Sequence, residues 1–289
     1  MDTVMFLQIF VNAMLLGGMY AIISIGLNII FGVLKIVNFA HGELIMLGMY
    51  ISYWLAVIYG LNPYLTLPLT ALALFLIGAG IERILIKPIL NAPSINQLLT
   101  TAALILIIQN VALILWRADY RGVTVRMPLI SIGPIFVSGT RLVAFVGGIA
   151  ASLILYYILM RTDTGIRIRA VAQDPEVSQI LGVNVPRIQT LTFCLGSLLA
   201  GIAGSLMIPI FMVNPTVGGG FGLIAWVIIV LGGLGSFTGA LIGSFIVGLI
   251  EAYVGVLISL EVARAVAFFA FILILLFRPS GILGEKARV

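Results

Sequence analysis

The sequence predicts an all-α, polytopic transmembrane helical bundle of about eight to ten spans, with glycine-broken segments near its C-terminal end. Three observations predict it. Of the 289 residues, 62% are hydrophobic and only 9% charged, where a soluble domain carries about 25% charge. The apolar stretches are continuous rather than alternating, which argues against a transmembrane β-barrel. They are also long enough, since a hydrocarbon core ~30 Å thick takes about 20 apolar residues per helix. The connections between them are short, so residues 1–289 are read as a single membrane domain.

In chain order the expected spans are 6–33, 42–59, 64–86, 97–116, 142–160, 188–212, 219–233, 237–257 and 263–277. The opening MDTVMFLQIF has no Lys or Arg ahead of its apolar run. It is therefore read as a retained span, not a cleaved signal peptide. Segment 117–141 has β-branched stretches on both sides of Gly133-Pro134 and is expected to form a small outer-surface hairpin. Cys194 lies inside an apolar run and is read as a core residue. The segment 219–233 is short for a crossing, and Gly232, Gly233, Gly235 and Gly239 break the chain at its end and just beyond it. Two readings stand: such breaks line pathways in transporters, and glycines also permit a tight helical hairpin.

Charge sets the expected orientation. Lys35, Arg83, Lys87, Arg161, Arg167, Arg169, Arg187, Arg278, Lys286 and Arg288 fall on the side of the 161–187 loop, ten of the 15 basic residues. Arg117, Arg121, Arg126, Arg141 and Arg264 fall on the other side. The excess places the 161–187 loop in the cytoplasm and the N-terminus outside. The net charge of +5 is thus a topology signal, and the expected surroundings are membrane lipid, not nucleic acid.

The loop itself is the one polar island. Residues 161–187 hold seven of the 25 Asp, Glu, Lys and Arg residues, and the next 63 residues hold none. Asp174 suits an N-cap, its carboxylate accepting free amide hydrogens of the first turn. Pro175 suits the first helical position, with Glu176 beside it. Gly182 suits the stop. The spacing predicts a two-turn helix over 175–181, with Val177, Ile180 and Leu181 on one face. Arg167 and Arg169 precede it. So short a helix needs something to dock against. Either it lies on the membrane interface with its Arg residues snorkelling, or it inserts into a groove of a cytoplasmic protein.

A second polar run, Asn38-Phe39-Ala40-His41-Gly42-Glu43, separates the first two spans. Asn38 is expected to cap the next helix, with Glu43 favoured by its positive N-terminal end. The alternative places Asn38, His41, Gly42 and Glu43 on a solute path or gate. His41 is the one histidine and has no clustered ligands around it, so no metal site is expected. The stretches VLKIVNFAHGELI (33–45) and VLGGLGSFTGALI (230–242) align without gaps as a weak internal repeat, each at a break between apolar segments. Among other intramembrane charges, Glu82 and Arg83 are expected to snorkel at an inner helix end, whereas Glu251 needs an unnamed partner or cavity. No G-x-x-x-x-G-K-[ST] and no HExxH occurs, so neither a nucleotide cradle nor a metalloprotease site is present. No enzymatic activity is expected of the chain.

Four blocks carry a resemblance: GVLKIVNFAHGELIMLGMY (32–50), GIRIRAVAQDPEVSQILGVNVPRIQ (165–189), VLGGLGSFTGALIGSFIVGLIE (230–251) and FRPSGILG (277–284). In this order they resemble the permease subunits of bacterial ABC importers for branched-chain amino acids, and more narrowly the first of the two paired permeases. The resemblance implies a multi-pass protein of the bacterial inner (plasma) membrane. Its implied partners are a second related permease, two cytoplasmic ATP-binding subunits and an extracytoplasmic solute-binding protein. ATP and Mg would sit on the ATP-binding subunits, and this chain would bind no cofactor. The stretch from Gly165 to Asn184 would be the loop coupled to the ATPase. Relatives that carry urea, amides or aromatic acids leave the solute open. A stand-alone secondary transporter, with His41, Glu43 or Glu251 relaying protons, is the mechanistic alternative.

Overall fold

The structure is a computed structural model and describes residues 3–278 and 280–284. Lys286 and Arg288, counted above for orientation, lie outside the described residues. The helices are α1 (Thr3–Leu34), α2 (His41–Tyr59), α3 (Leu67–Ile81), α4 (Ser94–Trp116), α5 (Gly139–Arg161), α6 (Asp163–Gln173), α7 (Pro175–Ile180), α8 (Val185–Met207), α9 (Val217–Gly232), α10 (Phe237–Leu257) and α11 (Leu260–Phe277). A π turn (Glu82–Ile86) and a 3-10 turn (Lys87–Ile89) prolong α3. Eight of these are long and apolar enough to cross a membrane, and α9, at 16 residues, is the short ninth. The nine expected spans therefore each meet a helix. The hairpin also forms: β1 (Leu129–Ile132) pairs with β2 (Ile135–Ser138), Ile132 opposite Ile135, around a turn whose Gly133 takes φ 60°.

Packing sorts the helices into an inner and an outer set. Helix α1 is buried along nearly all its length beyond Ala13 and packs on α5, α8, α9 and α10. Helix α8 is the second spine, and small residues allow close approach on several of its faces. A Cβ at Gly196 would lie 2.6 Å from the Gly26 carbonyl of α1, and one at Gly201 would lie 2.8 Å from the Thr70 carbonyl of α3. Without water in the bilayer, helices gain little from merely burying apolar side chains against each other; close packing at small residues holds them instead. Helices α4, α5, α10 and α11 leave much apolar side-chain surface outside the bundle, as lipid-facing helices do.

Hydrogen bonds identify two ends. At one, the Gln8 side chain donates to the Phe136 carbonyl and accepts from its amide, both at 2.8 Å. There Tyr253 Oη donates to the Phe6 carbonyl, and Arg121 pairs with Val213. At the other, Thr190 donates to Glu82 at 2.7 Å, and the amides of Ile282 and Leu283 donate to the carbonyls of Leu231 and Gly232. The hairpin and N-terminus thus share one end, and the 161–187 segment shares the opposite end with the chain's last described residues. Glu82 departs from expectation. It does not snorkel but is fully buried in the π turn, because Thr190 of α8 supplies a donor; Arg83 is exposed.

Candidate functional site

The segment 161–187 folds as two helices, where the spacing predicts one. Thr162 caps α6, its side chain accepting from the Gly165 amide at 3.1 Å. Gly165 is buried where a Cβ would run into the Ile158 and Leu159 carbonyls of α5. Gly165, Ile168 and Val171 form the inward face of α6, and Arg167 and Arg169 lie exposed. This helix was legible: an apolar residue every three positions amid Arg and Asp is an amphipathic signal.

Asp174 then caps α7, its Oδ1 accepting from the amides of Glu176 at 2.9 Å and Val177 at 3.0 Å. Pro175 occupies the first turn. Gly182 stops the helix at φ 84°. Its amide donates to the Gln179 carbonyl and that of Val183 to the Ser178 carbonyl, a Schellman-type closure that a side chain with a Cβ adopts poorly. The inward residue of α7 is Ser178. Val177, Ile180 and Leu181 are 49%, 84% and 76% exposed. The short helix is thus turned with its polar serine inward and its apolar trio outward.

The run 38–43 is the opposite case. Asn38, His41 and Glu43 are all buried. Asn38 does not cap α2 itself: its Oδ1 accepts from the Ala40 amide at 3.1 Å, closing the turn just before the helix, whose N-cap position is Ala40. His41 Nε2 lies 3.2 Å from the Ile23 carbonyl of α1. A carbonyl only accepts, so Nε2 carries the hydrogen there. Glu43 Oε1 accepts from Gln109 Nε2 of α4 at 2.9 Å. Its Oε2 packs against Gly218 in the first turn of α9 and has no hydrogen-bond partner among the described residues. The carboxyl group therefore sits at the positive ends of both α2 and α9, whose dipoles offset part of the cost that burial imposes on its charge. Gly42 meets Gly218 and Gly222 so closely that a Cβ on it would strike their backbone. One short run thus ties α2 to α1, α4 and α9.

Gly232, Gly233 and Gly235 form the tight connection between α9 and α10. A Cβ at Gly232 would strike the Gly239 carbonyl, and Gly233 abuts Gly284. Asn28 of α1 holds the connection on both sides, donating to the Ser236 carbonyl and accepting from the Gly235 amide, each at 2.8 Å. The two repeat-like stretches thus both fall on helix breaks, and the α9–α10 break rests on the last turns of α1. Sequence reasoning missed Gln109, Asn28 and Tyr20. Gln109 stood out as a polar residue within ALILIIQNVALILW; nothing marked Tyr20, which donates to Glu251 Oε2 at 2.5 Å. That bond supplies the partner Glu251 lacked. Among the described residues no cluster of His, Cys, Asp or Glu could hold a metal.

An all-α bundle of long apolar helices, with polar side chains buried at its helix breaks, is a multi-pass membrane protein built as a permease is. Comparison with known proteins narrows this class. The family described as branched-chain amino acid transport system / permease component matches residues 9–275, and the chain belongs to it. It is 30% identical to the high-affinity branched-chain amino acid transport system permease protein BraD of Pseudomonas aeruginosa, over 97% of this chain and 96% of that protein. It is 32% identical to the corresponding LivH of Escherichia coli K12, again over 97% and 96% of the two chains. A probable branched-chain amino acid transport permease protein of Methanocaldococcus jannaschii is 27% identical over 94% and 91%. No solved structure matches the chain. The protein is a transport permease subunit of the inner membrane.

Proposed function

We propose that this chain forms half of the membrane channel of an ABC importer that moves branched-chain amino acids into the cytoplasm. The observation that carries the reading is the end-to-end correspondence with permeases of that description. The other half would be a second, related permease. Two cytoplasmic subunits would bind and hydrolyse ATP with Mg, consistent with the lack of a P-loop here. A solute-binding protein would deliver the amino acid to the end bearing the β1–β2 hairpin.

In this reading α6 and α7 are the coupling segment. Arg167, Arg169, Asp174 and Glu176 offer a polar rim, and Val177, Ile180 and Leu181 an apolar centre for a groove on the ATPase. An exposed apolar centre with a polar rim is the anatomy of a docking surface. Hydrolysis shifts that docking. The shift passes through Gly165, where α6 packs on the end of α5, and through the contacts of α6 with α1 and α8. The junction at Asn38, His41, Gly42 and Glu43, with the α9–α10 connection at Gly232, Gly233 and Gly235, is the proposed gate. Both bond to α1, the first at Ile23 and the second at Asn28, so a movement of α1 reaches both.

The test is uptake of labelled leucine, isoleucine and valine by a transport-deficient bacterium. The chain is supplied with or without its companion permease, ATPases and binding protein. Uptake is expected only with the full set. Uptake driven by a proton gradient through this chain alone would refute the ABC assignment in favour of secondary transport.

A further inference from the structure

Glu251 on α10 and Arg264 on α11 line one cavity of ≈ 50 Å³ between α9, α10 and α11. That is several times the ~10–15 Å³ that accommodates one water, so a charged group of a few heavy atoms has room there. The remaining wall is mostly apolar, including Leu223, Ile224, Val247 and Phe268. Glu251 lies six residues before the end of α10 and Arg264 four residues after the start of α11. The cavity therefore sits in the half of the bundle nearer the hairpin. Tyr20 of α1 donates to Glu251 Oε2 and leaves Oε1 without a hydrogen-bond partner among the described residues. Neither charge is in an ion pair within 4 Å: among the described residues the one salt bridge is Arg121–Asp119. Glu261, one turn before Arg264, does not close on it either.

Glu251 is half-buried and Arg264 exposed on α11, so the space is a groove open at the bundle surface. Opposite charges on separate helices that line such a groove at membrane depth, neither neutralised by contact within this chain, are costly unless something else completes them. An α-amino acid carries an ammonium and a carboxylate on one carbon. Urea and amides carry no charge to match, and an aromatic acid without an amine carries only one. We propose that this cavity is an intramembrane site for the zwitterionic head of the transported amino acid. Glu251, oriented by Tyr20, accepts the ammonium, and Arg264 pairs with the carboxylate. Leu223, Ile224 and Val247 cover the side chain. Arginine suits the carboxylate because its planar fork can bind both oxygens at once. The inference rests on the amino-acid substrate proposed above and adds to it a location and a basis for choosing among solutes.

The experiment places a thiol on the wall, Leu223→Cys, in the complete transporter reconstituted in vesicles. Phe268→Cys serves as a second, independent reporter. Cys194 is buried and contributes little background. Modification by a membrane-permeant maleimide is followed in time. L-leucine is expected to slow it, and 4-methylpentanoate, which lacks the ammonium, and 3-methylbutylamine, which lacks the carboxylate, are not. Adding Glu251→Gln or Arg264→Gln is expected to raise the leucine concentration needed for half-protection about tenfold, as loss of a charge-assisted contact does. Protection equal for all three compounds, or unchanged by either substitution, would overturn the proposal. So would normal leucine uptake by the wild-type transporter with no protection of either reporter; the importer assignment would then stand. Failure of the wild-type transporter to take up any branched-chain amino acid would instead remove the substrate reading on which the site depends.

Discussion

The runs 38–43 and 174–182 look alike in the sequence: each is a few polar residues at a helix start, framed by apolar ones. In the structure they are opposites. The first buries Asn38, His41 and Glu43 completely and ties α2 to three other helices. The second satisfies its polar groups locally, through the Asp174 cap and the Gly182 closure, and presents Val177, Ile180 and Leu181 to the outside. A polar group that bonds within its own turn leaves the segment free to serve a partner. A polar group that bonds to a distant helix holds the bundle together. The first region should therefore break stability when changed, and the second should break coupling with stability intact.

The largest effect expected is on transport. Replacing Val177, Ile180 and Leu181 together with Asp should abolish uptake and co-purification with the ATPases. The melting temperature of the detergent-purified chain should stay within a degree or two of wild type, since exposed substitutions typically change stability by less than about 0.5 kcal/mol. Retained co-purification would break the comparison at its exposed pole. Next is Gly42→Leu. Its side chain has nowhere to go against Gly218 and Gly222, and overpacking of this kind costs about 1–3 kcal/mol or more. Loss of folded protein in size-exclusion chromatography is the expected readout, whereas Gly182→Leu, changed where nothing lies nearby but φ is 84°, should cost closer to ~1 kcal/mol of local helix closure.

Much of this was legible. Continuous apolar runs set the eight membrane-crossing helices and the shorter α9, because in lipid every backbone group must bond within its own segment and only helices do so. The Asp174-Pro175 start and Gly182 stop were equally legible, because their hydrogen bonds close within a few residues. What the sequence did not show is which distant groups meet. Glu43 finds Gln109 across 66 positions, and Glu251 finds Tyr20 across 231. Asn28 reaches the 235–236 backbone. A single chain read alone carries no signal for such pairs. Glu82 departs from expectation for the same reason, since nothing near it announces Thr190.

A smaller effect sharpens the buried pole. Glu43→Ala leaves the Gln109 amide inside the bundle without its acceptor, at a cost of about 1–3 kcal/mol. Glu43→Gln keeps a side-chain oxygen that can accept from Gln109 but removes the charge at the ends of α2 and α9, worth about 0.3–1 kcal/mol, or up to ~2 kcal/mol in a partly buried setting. The order of melting temperatures should be wild type, then Gln, then Ala. If Gln matches wild type in stability yet slows uptake, Glu43 acts in the gate beyond its packing role.

The smallest effect falls on the cap of α7. Asp174→Ala removes the acceptor for two amides in a six-residue helix, a change worth ~1 kcal/mol. Because α7 packs inward mainly through Ser178, this energy belongs to the order of α7 and hardly to the bundle. Global melting should therefore not move. The amides of 176–181 should instead exchange with deuterium about five-fold faster, the factor that ~1 kcal/mol represents. ATPase association should weaken by a similar factor, because the apolar trio is then presented in the right shape for less of the time. Asp174→Asn or Ser, which also cap well, should restore both. Faster exchange without weaker association would mean the partner orders α7 on contact, and the cap would then serve the free chain only.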